Sequence, residues 1–141
     1  YLRRTYHINT FNLICDTISV FLELDKLIMN DTAKFLLKET IDKIEGAYAP
    51  ATIRAYRANF ERFITFSANL KECALPADSH IVTNYIKELS NGQLKSASIR
   101  IAVASISAIH RLNQLVDPTT HPEVRLETRR MHRKLGRECK M

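Results

Sequence analysis

From Ile53 onward apolar residues recur at three- and four-residue intervals, through Tyr56, Phe60, Phe63, Ile64 and Ser67. Arg54, Ala58 and Arg62 fall on the opposite side of that stripe, with Arg57 on its flank. This period is helical; a half-buried strand would alternate every second residue. The segment therefore reads as an amphipathic helix, opening at Ala51 or Thr52 and running to about Leu70, with a basic outer face. Punctuation elsewhere points the same way, because 3 Gly, 4 Pro and no Trp in 141 residues disfavour both a turn-rich β-sandwich and a disordered tail. With 45% apolar residues the chain can bury one core of its own.

Five further helices are expected. The first spans about Thr10 to Met29, with Phe11, Ile14, Ile18, Phe21, Leu22 and Leu27 or Ile28 at helical spacing. Asn30-Asp31 reads as a break and a cap, and a second helix then carries Phe35, Leu36, Ile41 and Ile44 to a stop at Gly46. Ala47-Tyr48-Ala49-Pro50 is the candidate hinge, since proline biases its predecessor away from helix. After the third helix, Leu75-Pro76-Ala77-Asp78 reads as a turn, with Asp78 as cap of a fourth helix holding Ile81, Val82, Tyr85, Ile86 and Leu89. Asn91-Gly92 ends it. A fifth helix begins near Ser96 or Ser98, either of which could cap it, and carries Ile99, Val103, Ile106, Ile109 and His110 on one face. Ile101, Ala104, Ala108 and Leu112 lie elsewhere around it, which predicts a central position in a bundle. Pro122 opens a sixth helix with Val124, Leu126, Met131 and Leu135 inward.

Charge is unevenly placed. Residues 1–49 carry six Lys/Arg against seven Asp/Glu, and residues 50–141 fifteen against eight, so the net +6 arises from the second part. A polyanion is the leading partner for that part, with an acidic protein or a membrane surface as weaker alternatives. Cys15, Cys73 and Cys139 are odd in number and lack paired metal spacing, which gives a disulfide framework or zinc module little support and fits a reducing compartment. The apolar stretch Phe11 to Ile28 is interrupted by Asp16, Glu23, Asp25 and Lys26, so neither a signal peptide nor a membrane span is expected. A chain beginning at Tyr1 and ending in a charged run reads as an excised piece of something longer.

The ordered series Thr52-Ile53-Arg54-Ala55-Tyr56, Phe63, Leu75-Pro76-Ala77, Tyr85 to Leu89, Gly92, Ser98-Ile99, Ile106 to His110, Pro118, Val124 and Arg129-Arg130 resembles the SAM-like core-binding domain of Cre-like tyrosine recombinases and phage integrases. The resemblance covers about residues 49 to 136. It implies an all-α orthogonal bundle of four core helices, here preceded by two amino-terminal helices, and a division into an extension (1–48) and a DNA clamp (49–141) ending in a basic linker. It further implies that the third and fifth helices cross the major groove of duplex DNA. Thr52, Arg54, Ala55 and Ala58 match the groove-facing side of the former, with Arg57 and Arg62 beside them. Ala97, Ile101 and Ser105 match that side of the latter, with Lys95, Ser96, Ser98 and Arg100 nearby. Several of these side chains are small or apolar, so few can make bidentate base contacts, and the implied grip is sequence-tolerant. Arg129, Arg130, Arg133 and Lys134 match a segment that lies along phosphates, and from Arg125 to Met141 there are seven Lys/Arg against two Glu. The family also implies self-association on DNA through the amino-terminal helices, the one from Asp31 to Glu45 matching a helix passed to a neighbouring protomer.

The family's chemistry needs a His-x-x-Arg motif and a tyrosine nucleophile near the carboxyl end. None of His7, His80, His110, His121 or His132 has Arg three residues later, and the last tyrosine is Tyr85, within a helix. The resemblance thus implies a non-catalytic domain, with no cofactor and no metal, of a recombinase acting in a nucleoid or a nucleus. Plainer readings stand beside these: a solvated basic face for Arg54, Arg57 and Arg62, tail arginines favoured near a helix C-terminus, and core roles for His110, Tyr56 and Tyr85. The rivals are a transcription-factor-like helical DNA-binding domain and a helical protein-interaction module with a basic face.

Overall fold

The computed structural model describes the backbone of residues 2–138 and the side chains of residues 14–25 and 27–136. Helices are α1 (Leu2–Ile44), α2 (Pro50–Asn69), α3 (Ser79–Asn91), α4 (Ser96–Leu112) and α5 (Pro122–Glu138), with a short 3-10 turn at Pro118–Thr120 between the last two. The described residues contain no strand.

The two expected amino-terminal helices are one. Asn30-Asp31 does not break α1, because neither residue has the forbidden geometry of proline or the freedom of glycine, and each costs a helix interior only about 0.7 kcal/mol. Across the junction the Thr32 hydroxyl donates to the Ile28 carbonyl at 2.8 Å, a bond that leaves the helical ladder intact. The true stop is Gly46, whose φ of +83° suits glycine, with the amides of Ala47 and Tyr48 returning to the Ile44 carbonyl.

The core crosses the expected hinge. Ala33, Leu37, Ile41 and Ile44 of α1 are buried in the same cluster as Phe60, Phe63 and Ile64 of α2, Ile81, Val82, Tyr85 and Ile86 of α3, Ile99, Ile106 and Ile109 of α4, and Val124, Met131 and Leu135 of α5. Asn113, at the end of α4, donates to Thr40 Oγ1 of α1 at 2.9 Å and to the Ile109 carbonyl at 2.8 Å, fixing where α1 lies. α4 touches every other element, the central position its apolar girth predicts. Aromatic rings tie the middle together: Phe63 and Tyr85 have centroids 5.1 Å apart, and Phe66 and Tyr85 5.0 Å.

His110 is the core's polar fastening. It is fully buried, its Nε2 accepts the Ala77 amide at 2.9 Å, and its Nδ1 lies 2.7 Å from the Ile106 carbonyl. The two bonds together need the neutral ring protonated on Nδ1. They join the Leu75-Pro76-Ala77 turn to α4, so two separate elements of the resemblance meet at one side chain. On α5 the inward set differs from expectation: Leu126 is exposed and Glu127 is buried in its place, its carboxylate paired with Arg130 at 3.0 Å. The Val124, Glu127, Met131, Leu135 spacing keeps one stripe; Leu126 lies about 100° away from Glu127.

Candidate nucleic-acid interface

The cations expected to meet DNA lie on three surfaces. On α2, Arg54, Arg57, Ala58 and Arg62 are exposed, while Thr52 and Ala55 are half-buried. Their helix starts with Pro50 in its first turn, where a missing amide costs nothing, and buries Phe60, Phe63, Ile64 and Ser67 on the other side. Arg54 and Arg57 turn toward α1. Arg54 lines a cleft with Asp42, Glu45 and Tyr48, and Arg57 lines one with Lys34, Lys38 and Glu61. Arg62 lies farther round the exposed face.

On α4, Ala97, Ser98, Arg100 and Ile101 are exposed, and Ser96 is half-buried. Lys95, not a serine, holds the cap position, and no side chain caps the helix. The first amide to find a helical partner is that of Ile99, 3.2 Å from the Lys95 carbonyl, so the amides of Ser96, Ala97 and Ser98 remain outside the ladder. Ser105 departs from the expected groove-facing set. It is fully buried and its hydroxyl donates to the Ala102 carbonyl at 2.6 Å; it sits about 60° round the helix from the mean direction of Ala97 and Ile101, toward the side that meets the core. Asp78 is likewise at the cap position of α3 without making a side-chain cap bond; its carboxylate lies 3.8 Å from His80.

On α5, Arg129, Arg130, Arg133 and Lys134 are all exposed but unequal. Arg130 is held by Glu127, and Lys134 reaches Asn91 of α3 at 3.0 Å. Arg129 and Arg133 hold no side-chain bond or ion pair with the described residues, and exposed Arg125, four residues before Arg129, completes a column one turn apart on the side away from the core. α2 and α4 pack side by side, and α5 packs on α3 and α4 without touching α2.

Sequence reasoning missed Lys34 and Lys38, which the fold brings beside Arg57. Their signal was the four-residue spacing on one face of α1, masked by acidic neighbours that cancel the segment's charge. It also passed over Arg111 and Asp117. Burial alone would push the Asp117 carboxyl up, but bonds from Ser107 and Thr119, with Arg111 nearby, hold it below its usual value of 3.8. Asp117 accepts the Thr119 amide at 2.9 Å, so it caps the 3-10 turn and ties it to α4. Tyr85 is buried, and that burial pushes its phenol above 10.0, with Arg62 opposing and Glu88 adding to the shift. It is a packed ring rather than an accessible nucleophile. Among the described residues, no three His, Cys, Asp or Glu are grouped to hold a metal ion, and no helix is long and apolar enough to cross a membrane.

A family profile described as "Phage integrase, N-terminal SAM-like domain" matches residues 43–114, just over half of the chain. The match runs from the end of α1 through α2, α3 and α4 and takes in the His110 fastening. The chain belongs to this family: it is an all-α, SAM-like amino-terminal domain of the phage-integrase type. A search of curated proteins found no match.

Proposed function

We propose that this domain clamps duplex DNA for a tyrosine recombinase or integrase whose breaking and rejoining chemistry lies in a separate catalytic domain. The observation that carries the reading is the column Arg125, Arg129 and Arg133, three guanidinium groups directed away from the core with no partner among the described residues. Such a row neutralises phosphates one after another. Arg57 and Arg62 on α2 add cations, and Lys34 and Lys38 extend them onto α1. Lys95, Ser96, Ser98 and Arg100 surround the uncapped start of α4, where open amides favour an anion. Ala55, Ala58, Ala97 and Ile101 offer the groove shape and no donors, so affinity comes from the backbone of the duplex and little from base edges.

Fluorescence anisotropy of a labelled duplex, titrated from 50 to 300 mM salt, tests this. With about four to six phosphates contacted, log affinity falls against log salt with a slope of roughly −4 to −5. Binding that ignores salt, or no binding at 50 mM, contradicts the clamp and leaves the basic faces to an acidic protein partner. As in other members of the family, the full-length protein is further proposed to self-associate on its DNA and to act where that DNA resides.

A further inference from the structure

Two clefts lie along the seam between α1 and α2 and share Arg57. Their volumes, about 510 and 410 Å³, each fall in the range of sites that hold small molecules, roughly 300–1,000 Å³. Leu37 and Ile64 give the first an apolar lining, and Ile41 and Ile53 the second. Along α1 the charges sort by sign: Lys34 and Lys38 line the first cleft, Asp42 and Glu45 the second, and all four lie within about 80° of one another round the helix. All four are exposed, and none forms an ion pair with a described residue, although Arg57 and Arg54 line the same clefts from α2.

We propose that this groove binds a nucleoside monophosphate, with the phosphate at the Lys34, Lys38 and Arg57 end and the base at the Tyr48, Asp42 and Glu45 end. Three observations choose that ligand. Lysine and arginine only donate, so three of them at one end call for an oxyanion, and a phosphate monoester brings a charge of about −1.5 to −2 at neutral pH. Carboxylates only accept, so the other end of the ligand must bring N–H groups; guanine presents its N1–H and N2 amino group side by side. Tyr48, 41% exposed and held in its turn by an amide that returns to the Ile44 carbonyl at 3.2 Å, supplies a ring on which a base stacks. Lys38 and Glu45 are seven residues apart, about 10 Å along the helix, which suits the reach of a nucleotide from phosphate to base edge.

The same charges turn away a longer polyanion. A DNA strand laid along the whole groove would bring phosphates against Asp42 and Glu45, and against Glu61 in the first cleft. A ligand with one anionic end meets no such repulsion. This proposal does not rest on the DNA reading, which is carried by the α5 column outside the groove.

The test is isothermal titration calorimetry of the full chain with guanosine 5′-monophosphate, guanosine and inorganic phosphate. The nucleotide should bind at least about tenfold more tightly than either part. Lys34→Gln with Lys38→Gln should weaken the nucleotide by about tenfold and weaken phosphate too, whereas Asp42→Ala with Glu45→Ala should weaken the nucleotide and leave phosphate unchanged. Circular dichroism should give both variants the wild-type melt, since all four side chains are exposed. In the wild-type chain, nuclear magnetic resonance should show the nucleotide shifting the amide signals of Tyr48 and Arg57 and leaving that of Arg129 in place. Arg125→Ala/Arg129→Ala/Arg133→Ala should bind the nucleotide as the wild type does, which separates this site from the clamp. A short single strand with a 5′-phosphorylated guanosine presents the same chemistry: tighter binding of that strand assigns the site to a DNA end, weaker binding to the free nucleotide. A nucleotide that binds no more tightly than phosphate, an affinity that ignores the lysine pair, or shifts confined to other elements would each overturn the proposal.

Discussion

The two halves of α1 share one backbone and differ in what holds them. Residues 30–44 turn Ala33, Leu37, Ile41 and Ile44 into the bundle, whereas residues 14–29 turn Ile14, Ile18, Phe21 and Ile28 away from it. The apolar face changes sides near Asn30 without any change in the helix. Helical conformation is thus set locally, while stability is set by what each face meets, and in one half that partner is the domain's own core.

Truncation is the strongest way to break this comparison. A chain starting at residue 30 should keep the cooperative unfolding of the bundle, but one starting at residue 47 should lose it, because the latter cut strips the four buried apolar side chains of α1, the larger aliphatic ones worth about 1.5–3 kcal/mol each. Circular dichroism melts of both fragments check this; a stable fragment from residue 47 would mean that α1 merely rests on the core. At single-residue scale, Phe60→Ala should cost about 3–5 kcal/mol in urea unfolding. Phe21→Ala, on the outward stripe, should cost the monomer less than about 0.5 kcal/mol.

The contrast between α5 arginines is smaller. Arg130→Ala leaves the buried Glu127 carboxylate without its partner and should destabilise by about 1–2 kcal/mol, discounted because Arg130 itself is 68% exposed. Arg129→Ala should change stability by less than about 0.5 kcal/mol. Equal losses would show that the two arginines do not differ as their partners indicate.

Acid should act on the bundle. Burial pushes the His110 imidazole below its ordinary 6.5, against the opposing pull of the Ile106 bond and the Asp117 charge. The unfolded chain takes up this proton below about 6.5 and the folded chain does not, so stability falls as pH drops from 6.5 toward the lowered folded value. Asp117 acts in the same direction at lower pH, its stabilisation being present above 3.8 and lost as pH falls through its depressed folded value. His110→Gln should lower stability at pH 7 and flatten its change between pH 6.5 and 5. A variant that keeps the wild-type pH profile would place the titration elsewhere.

Much of the bundle was legible because its signals are local. The Ile53 to Ser67 stripe, Pro122 at a helix start and Gly46 at a helix end each act within a turn or two. His110 was readable as a hydrogen-bonded core residue from its place on an apolar face, though its partner Ala77, 33 residues away, was not. The continuity of α1 was hidden because its apolar face switches sides at a polar pair that resembles a cap. For the candidate interface, the resemblance and the density of basic residues singled out Arg129 and Arg133, but could not tell them from Arg130 and Lys134, whose partners Glu127 and Asn91 depend on packing. Ser105 was misplaced by alignment to a groove-facing side that here turns into the core. Lys34 and Lys38 required the α1–α2 approach to become neighbours of Arg57.

The clamp is tested most directly by the salt dependence of DNA binding in the variant Arg125→Ala/Arg129→Ala/Arg133→Ala, measured beside the wild-type chain on one duplex. Three lost phosphate contacts should make the slope of log affinity against log salt shallower by roughly 2–3, with the unfolding transition unchanged. An unchanged slope would contradict the assignment of this column to the DNA backbone.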